Sequence, residues 1–162
     1  MLTCAADVTA DSSNVGVMHF EVNTAGGVVL PQGTALNGTD AQHMRIGLSA
    51  LQSPGNLLQI GVVGPAPVSG AQYTTTADLG ESINGVANYL GFTVSGATTS
   101  SWVADAGTVV TIAAVGPGPL ANYKVIQFTF SGAHMTPSMR SNDKATGTFK
   151  LSGSCTAAIQ YK

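Results

Sequence analysis

Thr108-Val109-Val110-Thr111-Ile112-Ala113-Ala114-Val115, then Tyr123 through Gly132 (YKVIQFTFSG), then Thr146 through Ala157 (TGTFKLSGSCTA) are the three runs whose reading decides the fold. In the middle run Val125, Gln127, Thr129 and Ser131 share one side, and Lys124, Ile126, Phe128 and Phe130 share the other. A period of two belongs to a half-buried strand, and the β-branched and aromatic content agrees. Phe128 and Phe130 identify the inward side. The three runs therefore read as consecutive strands, with Gly116-Pro117-Gly118-Pro119 turning the first into the second.

The same punctuation continues toward the N-terminus. Val86–Val94 reads as a strand, Gly96–Ser101 as a turn ahead of Trp102, and Gln72–Thr76 as a short strand after the Pro-rich loop Gly64–Gly70. Met44, Ile46, Leu48 and Ala50 alternate, which makes 43–51 a strand, although Asp40 would also suit the N-cap of a helix. That strand pairs with Leu57–Val63 through Ser53-Pro54-Gly55-Asn56, read as a type II turn with a positive φ at Gly55. Val15–Val22 is expected to point Met18, Phe20 and Val22 inward, and Val28–Leu30 to stop at Pro31. Asn37-Gly38-Thr39 is a glycosylation sequon in form and an Asn-Gly turn in this reading.

Eight or nine short strands with frequent turns predict an all-β fold, a single antiparallel sandwich or flattened barrel. It spans 1–162 as one domain, with 1–14 as an N-terminal arm. The expected core is Phe20, Ile46, Leu48, Leu58, Ile60, Tyr89, Phe92, Val110, Ile112, Phe128, Phe130, Phe149 and Leu151.

Only 9% of the 162 residues are charged, against about 25% in an average soluble domain. Gly, Ala, Ser, Thr and Val replace them, a composition suited to secreted β-proteins and unlike a disordered chain. The longest strictly apolar runs are four or five residues, far from the roughly 20 that span a bilayer as a helix. Up to Asn122 the net charge is −6, and from Tyr123 onward it is +4. Neither part has the basic density or interleaved aromatics of a nucleic-acid surface.

Cys4 and Cys155 are the two cysteines. They are too few for a two-pair zinc site, and in an exported protein they pair most simply with each other. The other reading makes Cys4 a lipidated cysteine; Met1-Leu2-Thr3-Cys4, however, has its Leu two positions before Cys rather than three. With no apolar h-region before Cys4, removal of a signal peptide is the expectation.

From Met44 to Ala157 the order is an aliphatic strand, Gly70-Ala71-Gln72-Tyr73, an aromatic strand around Tyr89, Trp102 to Ile112, Phe128-Thr129-Phe130 and Ala145-Thr146-Gly147-Thr148-Phe149. This resembles the small secreted β-sandwich lipoproteins of bacteria, families of unknown function. The stretch from Tyr123 through Met135-Thr136-Pro137-Ser138-Met139 to Cys155 is similar to the C-terminal part of the mycobacterial nineteen-kilodalton lipoprotein antigens, which are surface β-domains without enzymatic activity. The ending Ala157–Lys162, with its penultimate Tyr161, resembles the end of chaperone–usher pilins, without their cysteine spacing. The resemblances imply an extracellular, periplasmic or cell-surface, bacterial, non-enzymatic domain.

No chemical constellation stands out beside this. His19, His43 and His134 lack ligand spacing, no Gly-x-Ser-x-Gly is present, and a bridged cysteine pair leaves no thiol nucleophile. Asp7 with Asp11, and Asp78 with Glu81, are weak calcium candidates in loops. Tyr73, Tyr89 and Trp102 are the candidate ligand face, a platform on which a sugar could stack. The reading is therefore a non-catalytic exported or cell-surface domain, structural or adhesive, with no cofactor. A glycan- or small-ligand-binding module is one alternative. The other is a filament subunit whose arm adds as a strand to a neighbour, a monomer being the simpler expectation.

Overall fold

Buried and exposed positions alternate as the sequence pattern requires, most regularly in β1 (Leu2–Thr9) and β2 (His19–Asn23). A computed structural model describes residues 1–23, 44–52, 54–64, 67–76, 88–138 and 143–160. In chain order follow β3 (Met44–Gln52), β4 (Asn56–Gly64), β5 (Gln72–Thr74), β6 (Tyr89–Ser95) and β7 (Thr99–Ala104). β8 (Val109–Pro117), β9 (Tyr123–Pro137) and β10 (Phe149–Gln160) complete the sheet. Every pairing is antiparallel, in the order β2-β1-β10-β9-β7-β6-β4-β3, with β8 joining β9 and carrying β5 on its other edge. The end strands β2 and β3 come close together, so the sheet is nearly closed into a barrel. Of the two forms expected, the flattened barrel is the closer description.

The barrel interior is filled by one cluster of buried side chains containing nearly all of the expected core; Tyr89 is buried too. Its largest members touch in sequence from wall to wall. Phe20 meets Phe92 edge-on at 5.6 Å between centroids, Phe92 meets Phe149 at 6.2 Å, and Phe149 meets Trp102 at 5.4 Å. These contacts tie β2, β6, β10 and β7 together, each worth about 1 kcal/mol beyond the area buried. The indole Nε1–H of Trp102 donates to the Gly147 carbonyl at 3.1 Å, so its one polar atom is satisfied inside.

β9 is the strand expected at 123–132, but it continues to Pro137 by way of a bulge. Leu151 faces Ala133 and Gly153 faces Phe130, so β9 uses one residue more than β10 across this step. Gly132 takes a positive φ of 58° there, and its N–H donates to Ser152 Oγ at 2.7 Å. The extra residue switches the inward parity from Ile126, Phe128 and Phe130 to Ala133 and Met135. Pattern alone stops the strand at Gly132 because the alternation breaks at that residue.

Other segments differ from expectation. Residues 1–14, expected as an arm, are tied into the sheet: Leu2–Thr9 is paired along both edges, to β10 and to β2. Ala10 then turns with φ 48°, and Ser12 and Asn14 donate backbone N–H groups to Thr148 and Thr146. Met18 is exposed, and Val15 is buried in its place, because the strand begins only at His19. The region 96–101 is partly strand: Thr99–Ala104 is β7, hairpinned to β6. In the β3–β4 turn Gly55 N–H bonds the Gln52 carbonyl, and Gly55 lacks the positive φ of a type II turn. Gly55 is required for another reason, since a Cβ would stand 2.7 Å from the Ser95 carbonyl oxygen. Val28–Leu30, Pro31, Asn37–Thr39, Asp40, His43, Asp78, Glu81 and Tyr161 lie outside the described residues.

Cys4 and Cys155 form a disulfide between directly opposed positions of β1 and β10, with Cα atoms 4.1 Å apart. Both are fully buried. The bond closes a loop across 151 residues of sequence. Such a loop is worth about 5 kcal/mol in the chain-entropy account. Replacing both cysteines by serine should therefore lower the free energy of unfolding by about 3–5 kcal/mol, read from denaturant titrations of the oxidised chain and the variant. Equal stability of the two would show that the bond does not constrain the unfolded chain.

Candidate functional site

Two histidine–carboxylate pairs stand on the outer face. Asp7 faces His19 across the β1–β2 ladder, and Asp7 Oδ1 lies 2.6 Å from His19 Nδ1. Glu21, two residues along β2, brings a carboxylate oxygen to 3.6 Å from Nε2. The hydrogen bond to Asp7 is the largest cause that raises the His19 pKa above 6.5; desolvation opposes it, and Glu21 adds to the rise.

The second pair is built where β7 ends. His134 Nδ1 lies 2.6 Å from Asp105 Oδ2, and Thr136 Oγ1 donates to Asp105 Oδ1 at 2.5 Å. The Asp105 backbone is equally engaged. Its N–H donates to the His134 carbonyl, and its own carbonyl accepts from the hydroxyls of Thr75 and Thr108. Asp105 thus joins β9, the β7–β8 turn and the residue after β5. The Thr136 hydrogen bond is the largest cause that lowers its pKa below 3.8, with His134 acting the same way and burial opposing.

Asp143 performs a similar service beside β7. Its Oδ1 accepts from the backbone N–H groups of Ser101 and Ala145, both at 2.9 Å, and its Oδ2 from Ser138 Oγ at 2.6 Å. Burial is the largest single influence and raises its pKa, yet these hydrogen bonds together bring it below 3.8. The carboxylate fastens Ser138 and Ala145 to Ser101 of β7.

Of the aromatic residues proposed from sequence as a ligand face, Trp102 is 1% exposed, Tyr73 5% and Tyr89 6%. None presents a ring to solvent. Trp102 belongs to the interior aromatic chain, and the Tyr89 ring lies over Gly91, where a Cβ would collide with it. Asp7 and Asp11, expected together in a loop, are separated: Asp7 lies in β1 and holds His19, while Asp11 Oδ1 accepts from the backbone N–H of Ser13 at 2.7 Å in a local turn. Among the described residues, no group of three His, Cys, Asp or Glu side chains is arranged to hold a metal ion.

A cleft of about 510 Å³ opens on the outer face between β8 and β9, walled by Gln72, Thr108, Val109, Thr111, Thr129 and Ser131, with Gly132 at its rim. Thr111 pairs with Thr129, the last point where the two strands run together; beyond it β8 turns toward β5 and β9 enters its bulge. Sequence reasoning missed this site, because neutral hydroxyls in β-strands carry no signal that separates them from an ordinary solvent face. No family model, curated protein or solved structure matches the chain.

Asp105 has a testable consequence. Its folded-state pKa is depressed, so its stabilising contribution is present above 3.8 and is lost as pH falls through the folded value. Asp105→Asn should be less stable than the parent chain at pH 7, and the gap should narrow as pH falls below about 4. Urea unfolding at several pH values measures it. A gap independent of pH would show that the Asp105 charge contributes nothing.

Proposed function

We propose that the chain is an exported, non-catalytic β-domain working at or beyond the cell surface in a structural or adhesive role. The observation that carries this is the buried Cys4–Cys155 disulfide, which joins the first strand to the last. Disulfides of this kind persist in oxidising compartments and are rare in a reducing cytosol. An outer surface of Thr, Ser and Gly with few charges is in keeping with it. The engagement of Asp105 with three parts of the sheet favours a fastening role for the second histidine pair over an acid–base one.

A second reading, a small-ligand-binding module, is favoured by the cleft between β8 and β9, whose volume falls within the range of small-molecule sites.

Thiol trapping in the native cells, followed by protease treatment of intact cells, tests the first reading. The expected outcome is no alkylated cysteine before reduction, together with loss of the chain to external protease. Two alkylated thiols in a protease-protected chain would overturn the export reading. A hydrolytic activity abolished by His134→Ala would overturn the non-catalytic one.

A further inference from the structure

We propose that the cleft between β8 and β9 binds a neutral sugar, an inference that rests on the binding-module reading and names its ligand class. The walls combine neutral polar side chains with a smaller apolar part. Gln72 pairs with Thr111 and Thr111 with Thr129, so three neutral polar side chains stand in one row across β5, β8 and β9. The row continues to Ser154 on β10, opposite Thr129. Neighbours in such a row are about 4.8 Å apart, the spacing between strands. Among the described residues nothing bonds the hydroxyls of Thr111, Thr129 or Ser131, so these groups are open to a ligand.

None of the residues walling the cleft is charged. A charged ligand entering it would lose hydration without meeting a counter-charge. Hydroxyls and the Gln72 amide both donate and accept, the set that matches a ligand whose own groups are hydroxyls. Val109, 38% exposed, adds an apolar side to the wall, suited to the C–H face of a sugar ring. Gly132 has no side chain and is held at positive φ by the bulge, so a ligand can approach the backbone at the rim. With no carboxylate in the wall, the pair that glycoside hydrolysis requires is missing from it, and the cleft binds without cleaving.

The experiment is an amide chemical-shift titration of the whole chain with glucose, galactose, mannose and N-acetylglucosamine, and with phosphate and glutamate as charged probes. At least one sugar should shift the amides of Thr108–Thr111 and Ser131–Ala133. Ser131→Tyr, which fills the cleft from an exposed position and leaves the core alone, should weaken that response by about tenfold or more. His19→Ala, on the distant β2, should leave it unchanged. Shifts at the same amides from phosphate or glutamate, with the sugars silent, would overturn the sugar class while keeping a binding cleft. Silence of all six probes would overturn the sugar site together with the binding-module reading. Sugar-induced shifts confined to other amides, or a response unaffected by Ser131→Tyr, would overturn the location.

Discussion

The bulge at Ser131–Gly132 is the constraint on which most of the architecture depends. β9 is 15 residues long and must pair with β10 on one edge while serving two different strands on the other. A regular strand of that length would keep one parity throughout. The extra residue lets Phe128 and Phe130 face inward beside β8, and Ala133 and Met135 face inward beside β7. Beyond the Thr111–Thr129 pair β8 and β9 part, and the cleft opens between them there. Gly occupies the bulge because the left-handed backbone there strains any side chain with a Cβ.

Where the ladder parts, polar side chains replace it. Asp105 spans the gap between β7 and β8 and binds β9 through His134 and Thr136. Asn88 does the same between β4 and β5: its Oδ1 accepts from the Val63 N–H at 2.8 Å, and its Nδ2 donates to the Thr74 carbonyl at 2.9 Å. Asp143 fastens the approach to β10 along β7. A nearly closed barrel has few free edges, and these few charged and amide groups sit where backbone donors and acceptors would otherwise lack partners. That accounts for part of the small charged complement of the chain.

Among the described residues, the strands of the basic portion lie beside strands of the acidic portion. β10 runs between β1 and β9, and β9 in turn contacts β7 and β8. The disulfide acts inside the barrel, where Cys4 and Cys155 complete the packing as well as the covalent link.

Alternation of side chains determined, from sequence alone, the all-β class, the antiparallel character and the inward set that includes Phe20, Phe92, Phe128 and Phe149. Each strand reports its own buried face locally, with a period of two. The cysteine pair was also legible, since with two cysteines an intramolecular disulfide has one possible pairing. Tertiary structure alone decided the rest. Leu2–Thr9 is short of large apolar residues and reads as an arm, yet pairing on both edges makes it an inner strand. Tyr73, Tyr89 and Trp102 were candidates for a surface platform, Tyr89 also for the core, and all three are buried. The meeting of Asp105 with His134, and of Thr111 with Thr129 at the mouth of a cleft, depends on registers between strands distant in sequence. A single strand's pattern carries its facing but not its neighbour, and register is a property of the closed sheet.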